Sequence, residues 1–375
     1  EAWSWARAIR SPAAAARQHA TRPGVDKRIA PAPSTAMRSD GLLDLQVNGY
    51  AGVDFNDPGL TAAAMDHALE AMLAAGVTRC LPTLITADEA TLGARFAALD
   101  RAVADSRLGA AMVPGYHLEG PFLNPGEGTA GCHPPEAMHA PDPRLLDRLA
   151  RDLRRPILLL TLAPERPDAA AVLAWARGRG VLLAMGHTAA DLDTVTRAAA
   201  AGVRLSTHLG NGLPHLLPKF LNPLMAQLAE DRLHASVIAD GIHVPVHALR
   251  VMTRAKGADR VVLVTDATAA AAAPPGLYGF AGMTIEHAAD GSVRVPGGRT
   301  LAGSGLRLDQ AVRNVVGWGL ATPAQALAWA SAAPASLLAP ALAAHGIALE
   351  AGSVTWSDAL RPGTIILGDL RLQPA

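Results

Sequence analysis

The sequence contains very little cysteine, and no part of it is continuously apolar for the thickness of a bilayer. Only two cysteines, Cys80 and Cys132, occur in 375 residues, which excludes a disulfide framework and fits a reducing compartment. No run reaches the roughly 18 consecutive apolar residues that a membrane-spanning helix needs. The Ala- and Arg-rich start lacks the apolar segment of a secretory signal. We therefore expect a cytoplasmic protein with no membrane partner.

Charge is also scarce, and neither sign is in excess. Charged residues make up 18% of the chain, and 33 Lys and Arg balance 33 Asp and Glu. Domains that bind nucleic acid usually carry a clear basic excess, so we expect no nucleic-acid partner. Half of the residues are hydrophobic. That is enough apolar material for a large core, and it excludes global disorder.

The chain divides into three zones. Residues 1–40 are polar and basic, and they indicate one weak helix over residues 2–19 followed by a loop. In residues 41–340, short apolar runs that end in Gly or polar residues alternate with Ala- and Leu-rich helical stretches. Residues 341–375 include strand-like pieces such as 363–367. They predict a small β appendage.

Eight apolar runs of the middle zone read as strands, with helical stretches such as 61–75 and 191–201 between most of them. The runs are 42–47, 80–85, 112–117, 157–162, 181–185, 203–207, 236–239 and 261–265. Strands alternating with helices predict an α/β fold in which eight parallel strands close into a (β/α)8 barrel of the TIM type. An open doubly wound sheet is the alternative. The β appendage is expected to be small and reduced, and to come from the chain termini.

Chemically capable side chains recur where these strands end. In a barrel, all the carboxyl ends of the strands meet on the face where active sites are built. A buried carboxylate is costly unless it is compensated, and a bound cation is one means of compensation. One histidine at a strand end is more often structural, but four groups on four strands make coincidence the weaker explanation. Those four are Glu119, His187, His208 and Asp266.

Two imidazoles and one carboxylate are typical protein ligands of a catalytic metal, with one position left open for water. Such a metal lowers the pKa of its water towards 7. The unligated Asp266 can then take the proton and pass it to a leaving amine. The pattern predicts a metal-dependent hydrolase of an amide or ester. A thiol nucleophile formed by Cys132 and His133 is an alternative that explains fewer residues.

Seven segments between residues 41 and 340 carry a more specific signal. They are Asp44-Leu-Gln-Val-Asn-Gly49 with Gly52-Val-Asp-Phe55, His117-Leu-Glu-Gly-Pro-Phe122, Gly186-His-Thr188, Thr207-His-Leu-Gly-Asn211, Ile238-Ala-Asp-Gly-Ile-His243, Leu263-Val-Thr-Asp-Ala267 and Thr300-Leu-Ala-Gly-Ser304. In this order they resemble the N-acetylglucosamine-6-phosphate deacetylases of the amidohydrolase superfamily. The resemblance implies hydrolysis of the N-acetyl group of an amino sugar. The implied substrate is N-acetylglucosamine 6-phosphate, and the products are glucosamine 6-phosphate and acetate.

The resemblance also implies a role for each matching residue. Glu119, His187 and His208 would hold one divalent metal ion per chain, of zinc or iron type. Asp266 would act as the catalytic acid and base. His243 would contact the sugar and position the acetamide. The remaining substrate contacts would come from His133, the backbone of Asn211 and Gly212, and Lys219.

Several positions depart from the family pattern. Superfamily members often carry a His-x-His pair after the first strand that helps hold a second metal. Here the pair is Gln46 and Asn48, and amides are poorer ligands for transition metals, so we expect one metal. The family's Asn-Ala pair is Asn211-Gly212 here. The first 40 residues also lack the alternating strands that the family places there.

The phosphate loop differs as well. In the family a Gly-Arg-x-Pro-Gly loop supplies the arginine that binds phosphate, often across a dimer interface. Residues 217–223 read Leu-Pro-Lys-Phe-Leu-Asn-Pro, which leaves Lys219 in that place. Lys219 is either a phosphate contact, as a point charge without the paired donors of arginine, or a solvated loop lysine. We therefore expect a homodimer acting on a small amino-sugar substrate. The alternatives are a deacetylase of an unphosphorylated or different N-acyl substrate, and a non-catalytic relative that binds a ligand at the barrel rim.

Overall fold

The structure is a computed structural model that describes residues 37–374, so the helix expected over residues 2–19 lies outside the described residues. The strands in this part of the chain are β1 (Met37–Asp40), β2 (Leu42–Val47), β3 (Gly49–Tyr50), β4 (Val53–Asp54), β5 (Val77–Ile85), β6 (Tyr116–Glu119), β7 (Ile157–Leu162), β8 (Leu182–Met185), β9 (Val203–Ser206), β10 (His234–Ile238), β11 (Val261–Val264), β12 (Gly276–Phe280), β13 (Met283–His287), β14 (Val293–Arg294), β15 (Ser353–Trp356), β16 (Pro362–Leu367) and β17 (Leu370–Leu372).

Several helices begin after a side chain that caps the first turn. Thr61, Asp88 and Asp191 each accept a hydrogen bond from the backbone N–H three residues later, which satisfies a donor that the first helical turn leaves free. The helices are α1 (Ala62–Ala74), α2 (Glu89–Asp105), α3 (Gly109–Met112), α4 (Pro143–Ala150), α5 (Ala169–Gly178), α6 (Leu192–Ala200), α7 (Pro223–Ala229), α8 (Val246–Lys256), α9 (Leu308–Gly317), α10 (Pro323–Ala330) and α11 (Ala332–Ala344).

Eight parallel strands form a barrel in which the last strand meets the first. Their order is β2-β5-β6-β7-β8-β9-β10-β11. At the seam, the N–H of Asp266 donates to the carbonyl of Gln46 at 2.9 Å, and the N–H of Asn48 donates to Ala267 at 2.7 Å. These bonds join β11 to β2. The predicted (β/α)8 barrel is confirmed, and the alternative of an open sheet is wrong.

One expected strand is displaced along the chain. The apolar run 112–117 predicts a strand there, but Gly109–Met112 forms α3 and β6 begins only at Tyr116. Met112 and Val113 are buried on either side of the helix end. A short buried run has the same composition in a helix and in a strand, so periodicity cannot separate the two.

The upper interior of the barrel is polar. The ring of His117 lies between two hydroxyls, with Nδ1 3.3 Å from Thr83 Oγ1 and Nε2 2.8 Å from Thr161 Oγ1. Thr161 Oγ1 in turn lies 2.7 Å from Thr207 Oγ1. Burial lowers the pKa of His117 to about 4, so the ring is neutral. This hydrogen-bonded layer supports the strand ends above it.

A four-stranded antiparallel sheet, β1-β15-β16-β17, forms the β appendage. Three of its strands come from the C-terminal zone, and they begin at Ser353 because α11 continues to Ala344. The fourth strand, β1, lies in the zone where no strand was expected. The buried Trp356 anchors the sheet, since its Nε1 donates to Ser39 Oγ at 2.8 Å.

A second small sheet, β12-β13-β14, follows the last barrel strand and was not predicted. Phe280, Ile285 and Val293 form its core together with Ile85 at the end of β5. Its hairpin turns at Ala281-Gly282, where φ is +51° and +85°. A two-residue turn with both φ values positive matches the twist of a hairpin, and a Gly at its second position is the signal that could have revealed it.

Helices α10 and α11 form one apolar stretch. Together they span Pro323–Ala344, which is long and apolar enough to cross a membrane by length and composition alone. Half of the stretch is buried within this fold, where it packs on barrel strands. The core helix of a soluble protein passes the same test, so this stretch is weak evidence for a membrane span.

Candidate active site

A cavity of about 700 Å³ opens at the carboxyl ends of the barrel strands. All four groups singled out from the sequence line it: Glu119, His187, His208 and Asp266. They come from β6, β8, β9 and β11, so the barrel brings together residues almost 150 positions apart along the chain. The closed barrel therefore produces the convergence that the sequence pattern predicts.

Glu119 lies at the centre of a buried group of imidazoles. Its Oε1 is 2.8 Å from His208 Nε2 and 3.3 Å from His187 Nε2, and its Oε2 is 3.7 Å from His133 Nε2. Burial alone would raise the pKa of Glu119, but the hydrogen bonds from His187 and His208 outweigh it and hold that pKa well below its usual value. Glu119 is therefore an anion facing three imidazole rings.

The hydrogen bonds on the far sides of these rings determine which nitrogen is free. His187 Nδ1 lies 2.6 Å from the carbonyl oxygen of Thr129. A carbonyl can only accept, so Nδ1 carries a hydrogen, and Nε2 is the nitrogen that faces Glu119. His133 Nδ1 contacts Thr86 Oγ1 at 2.9 Å. Partners of this kind orient imidazoles that bind metals.

Three of the four groups have a left-handed backbone, which is uncommon for residues other than glycine. The φ angles are +50° for His187, +30° for His208 and +50° for Asp266. Such residues cost about 1–3 kcal/mol each and persist where their surroundings fix them. The carbonyl of His187 accepts from Asn124 N at 3.0 Å, and the N–H of His208 donates to Ser236 Oγ at 2.8 Å. These two hydrogen bonds fix the backbones of His187 and His208 just beyond the ends of their strands.

The donor set fits a divalent metal ion. The ligand atoms of Glu119, His133 and His187 all lie within 4.8 Å of one another and are buried. His208 adds a third imidazole on Glu119 Oε1. Its Nδ1 has no hydrogen-bond partner among the described residues. Imidazole nitrogen and carboxylate oxygen are the ligands that zinc and iron-type ions take. His133, expected only as a sugar contact, lies within this cluster.

Gln46 and Asn48 hold carboxylates in place. Gln46 Nε2 lies 3.2 Å from both Glu119 Oε2 and Asp266 Oδ1, and Asn48 Nδ2 donates to Asp266 Oδ1 at 2.7 Å. Burial, together with the nearby charge of Glu119, raises the pKa of Asp266 to about 6. The amides occupy Oδ1 of Asp266, so Oδ2 is the oxygen left to exchange a proton.

The other predicted contacts divide into two groups. His133, Asn211, Gly212 and His243 line the cavity, whereas Lys219 is exposed and is absent from its lining. His243 is fixed by a 2.6 Å contact from its Nδ1 to Asp240 Oδ2.

Gly212 packs directly against one of the imidazoles. Its φ is +59°, and a Cβ there would lie 2.7 Å from His187 Nδ1. In this chain an added Cβ would therefore displace the His187 ring.

Sequence reasoning missed two supporting carboxylates. Glu165 accepts from Thr188 Oγ1, from Asn124 Nδ2 at 2.8 Å and from Ala189 N at 2.7 Å, which ties together the loops after β6 and β8. Its position three residues after β7 was the available signal.

The second is Asp44, which lies at the barrel seam. It accepts from Thr265 Oγ1 at 2.5 Å and from the N–H groups of Gln46 and Thr265 at 3.2 Å. Burial raises the pKa of Asp44 to about 7. Asp44 is the first residue of the segment Asp44–Gly49, but its sequence position gave no sign of this supporting role.

No family model matches the chain, but individual proteins do. N-acetylgalactosamine-6-phosphate deacetylase of Escherichia coli O157:H7 is 34% identical over 315 residues, which cover 81% of this chain and 80% of that protein. N-acetylglucosamine-6-phosphate deacetylase of Danio rerio is 33% identical over 289 residues, which cover 73% of this chain and 68% of that protein.

A solved structure matches over a similar extent. It is a variant of N-acetylglucosamine-6-phosphate deacetylase from Mycobacterium smegmatis in complex with N-acetyl-D-glucosamine-6-phosphate. It is 28% identical to this chain and covers 88% of it, with 86% of that chain matched and a TM-score of 0.79. The structural similarity therefore extends over most of both chains.

Proposed function

Because this chain belongs to the N-acetylglucosamine-6-phosphate deacetylase family of the amidohydrolase superfamily, we propose that it hydrolyses N-acetylglucosamine 6-phosphate to glucosamine 6-phosphate and acetate. It is an enzyme that cleaves an amide C–N bond. The observation that carries the proposal is the placement of Asp266, with its pKa raised to about 6, in the same cavity as Glu119 and its imidazoles. A non-catalytic binding protein has no need of that combination.

One divalent ion, zinc or iron, is proposed to be held by Glu119, His187 and His208. When bound, such an ion supplies Lewis-acid polarisation of the amide carbonyl and lowers the pKa of water. A single ion is expected because Gln46 and Asn48, at the positions of the superfamily's second pair of ligands, direct their amide groups at carboxylates. His133, whose Nε2 lies 3.7 Å from Glu119 Oε2, is proposed to contact the sugar.

Asp266 is proposed to move the proton, through Oδ2. At neutral pH a carboxyl group with a pKa of about 6 is mostly ionised and can accept a proton. Its conjugate acid is still strong enough to give that proton to the leaving amine, which is the condition for efficient acid–base catalysis. The amides on Oδ1 keep the side chain in one orientation through both steps.

The remaining cavity residues are proposed to bind the substrate. His243 Nδ1 contacts Asp240, and the hydrogen bonds from His243 hold the pKa of Asp240 below its usual value although burial opposes them. Asp240 is therefore ionised, so Nδ1 of His243 donates and Nε2 is left for the acetamide or the sugar. Asn211 and Gly212 would offer backbone groups.

N-acetylgalactosamine 6-phosphate is a second candidate substrate. A relative that is 34% identical over most of both chains is named N-acetylgalactosamine-6-phosphate deacetylase. The two sugars differ only in the configuration at C4, so they present the same amide and the same phosphate. Specificity constants for both sugars, measured on one preparation, decide between them.

We also propose a cytoplasmic homodimer in which Lys219 reaches the partner's cavity. Lys219 is exposed and does not line the cavity of its own chain, and its loop carries the exposed apolar residues Leu216, Phe220 and Leu221.

Co-refolding Lys219→Ala chains with Asp266→Asn chains tests the proposal. If the site is shared, the mixture should regain about a quarter of the wild-type turnover. Half of the dimers are then mixed, and each mixed dimer has one intact site. Activity that only averages the two parents contradicts it.

Deacetylation of N-acetylglucosamine, with and without the 6-phosphate, tests the proposed function. The metal-loaded protein is expected to release acetate from the phosphorylated sugar at a much higher kcat/KM, and chelation should abolish the activity. Preference for the unphosphorylated sugar would instead support the alternative N-acyl substrate. The absence of acetate release from any amino sugar, with metal bound, would overturn the proposal.

A further inference from the structure

The shape of the substrate separates its two reactive ends. In a pyranose ring, C2 and C5 stand opposite each other, so an acetamide on C2 and a phosphate carried through C6 point away from each other. The amide must reach Asp266 and Glu119 at the carboxyl ends of the strands. The phosphate therefore points towards the rim, which is formed by loops 125–135, 210–215 and 299–303.

Among the residues that line the cavity, one side chain at the rim carries a permanent positive charge. Arg299 is the only Lys or Arg among the residues that line the cavity, all of which lie in the described part of the chain. Its side chain is exposed, and its guanidinium has no hydrogen bond or ion pair within residues 37–374. Its carbonyl accepts from Arg294 Nη1 at 3.2 Å, which fixes the backbone of the loop and leaves the side chain free to turn towards the cavity.

The rest of the lining makes this charge important. Three carboxylates, Glu119, Glu127 and Asp266, line the same cavity. A phosphate monoester carries about −1.5 to −2 charges at pH 7. The proposed metal ion lies with Glu119 at the amide end of the substrate, so a phosphate at the rim needs a cation of its own. His215 also lines the rim, but its Nδ1 already lies 3.6 Å from Glu127 Oε1. A guanidinium offers the planar pair of donors that matches phosphate oxygens.

We propose that Arg299, on the loop after β14, binds the 6-phosphate of the substrate from within the same chain. This inference rests on the proposed function and deepens it. Each cavity then carries its own phosphate-binding residue, and Lys219 of a partner subunit is an addition to it. The loop is connected to the site, since the N–H of Ser304 donates to the carbonyl of Asp266 at 2.9 Å.

The test compares Arg299→Gln with the matched control Arg101→Gln. Arg101 is an exposed arginine on α2 that makes no hydrogen bond among the described residues, so its loss changes the net charge equally. Loss of one charge-assisted contact is expected to raise KM for N-acetylglucosamine 6-phosphate by about 10- to 150-fold in Arg299→Gln. The value of kcat should stay within about twofold, and kcat/KM for the unphosphorylated sugar should be unchanged.

A second measurement does not depend on turnover. Calorimetric binding of glucosamine 6-phosphate and of glucosamine is compared in the metal-loaded wild type and in both variants. The preference for the phosphorylated sugar should fall at least tenfold in Arg299→Gln and persist in Arg101→Gln. An unchanged preference overturns the assignment of Arg299. Wild-type protein that binds the phosphosugar through Arg299 but deacetylates no amino sugar would instead overturn the proposed function alone.

Discussion

Asn48 Nδ2 donates a 2.7 Å hydrogen bond to Asp266 Oδ1, across the seam where the first and last strands of the barrel meet. Superfamily members often use this position for a histidine that holds a second metal. Here the amide orients the proposed acid–base residue. Asn48 and Asp266 thus close the barrel with their backbones and place the proposed acid–base group with their side chains.

Replacing Asp266 with Asn is expected to lower turnover by about 10²- to 10⁴-fold, the usual contribution of a general acid–base group. The substitution keeps the shape but removes the proton acceptor at Oδ2. Metal content, measured by elemental analysis, should match that of the wild type. Asp259→Asn, at an exposed position, is the control. Near-normal turnover of Asp266→Asn would show that another group carries the proton.

Replacing Gly212 with Ala is expected to weaken metal binding. The added Cβ would lie 2.7 Å from His187 Nδ1 at a φ of +59°, so the imidazole must move. Displacing a supporting group typically reduces metal affinity by about 10- to 100-fold. A competition titration with a chelator measures the effect. Gly178→Ala, where an added Cβ meets nothing within 4 Å, should bind metal like the wild type, and equal affinities in both variants would contradict the packing argument.

Replacing Glu165 with Gln is expected to loosen His187. Glu165 accepts from three donors on two loops, and Gln can satisfy only part of that set because its NH2 group is a donor. The predicted result is a fall in metal affinity of about 10- to 100-fold with little change in the midpoint of thermal unfolding. Glu286→Gln, an exposed side chain on β13, is the control. Unchanged metal affinity in Glu165→Gln would mean that other contacts fix this loop.

Asp44 is expected to make stability depend on pH. Burial raises its pKa from 3.8 to about 7 in the folded state, so folding binds a proton between these values. Its contribution is fully present below pH 4 and is lost as the pH rises through 7. A shift of this size corresponds to roughly 4 kcal/mol. In urea unfolding, Asp44→Asn should therefore gain stability relative to wild type between pH 4 and pH 8. A constant difference would mean that Asp44 is ionised in the fold.

The barrel was predictable because its strands are short, buried on both faces and almost uniformly apolar. The predicted bounds of β2 and β7 match the structure, and the caps Thr61 and Asp191 mark helix starts at the expected places. The β12–β14 sheet was not predicted, because its strand Gly276–Phe280 alternates only weakly between apolar and polar residues and is mostly exposed. Such a strand lacks the apolar run on which the other predictions depended.

The sequence predicted the site residues that lie at the ends of barrel strands, because the order of the strands fixes where those residues lie. Glu119, His187, His208 and Asp266 follow barrel strands, so a closed barrel places them in one cavity. His133 and Arg299 lie on loops between elements, and nothing in their sequence spacing fixes where a loop returns. The metal-cluster position of His133 and the exclusion of Lys219 from its own cavity follow only from the folded chain.

The sheet formed by β12–β14 and the loop that carries Arg299 are one uninterrupted stretch of chain between β11 and α9, whereas the groups around Glu119 come from many separate strands. A change in the C6 substituent that Arg299 is proposed to bind can therefore arise by exchange of a single segment. The residues that cleave the amide need not change with it. Relatives with different substrate preferences are expected to vary most in this segment, and a chimera that carries residues 276–303 from such a relative should inherit the relative's preference at the C6 end of the sugar.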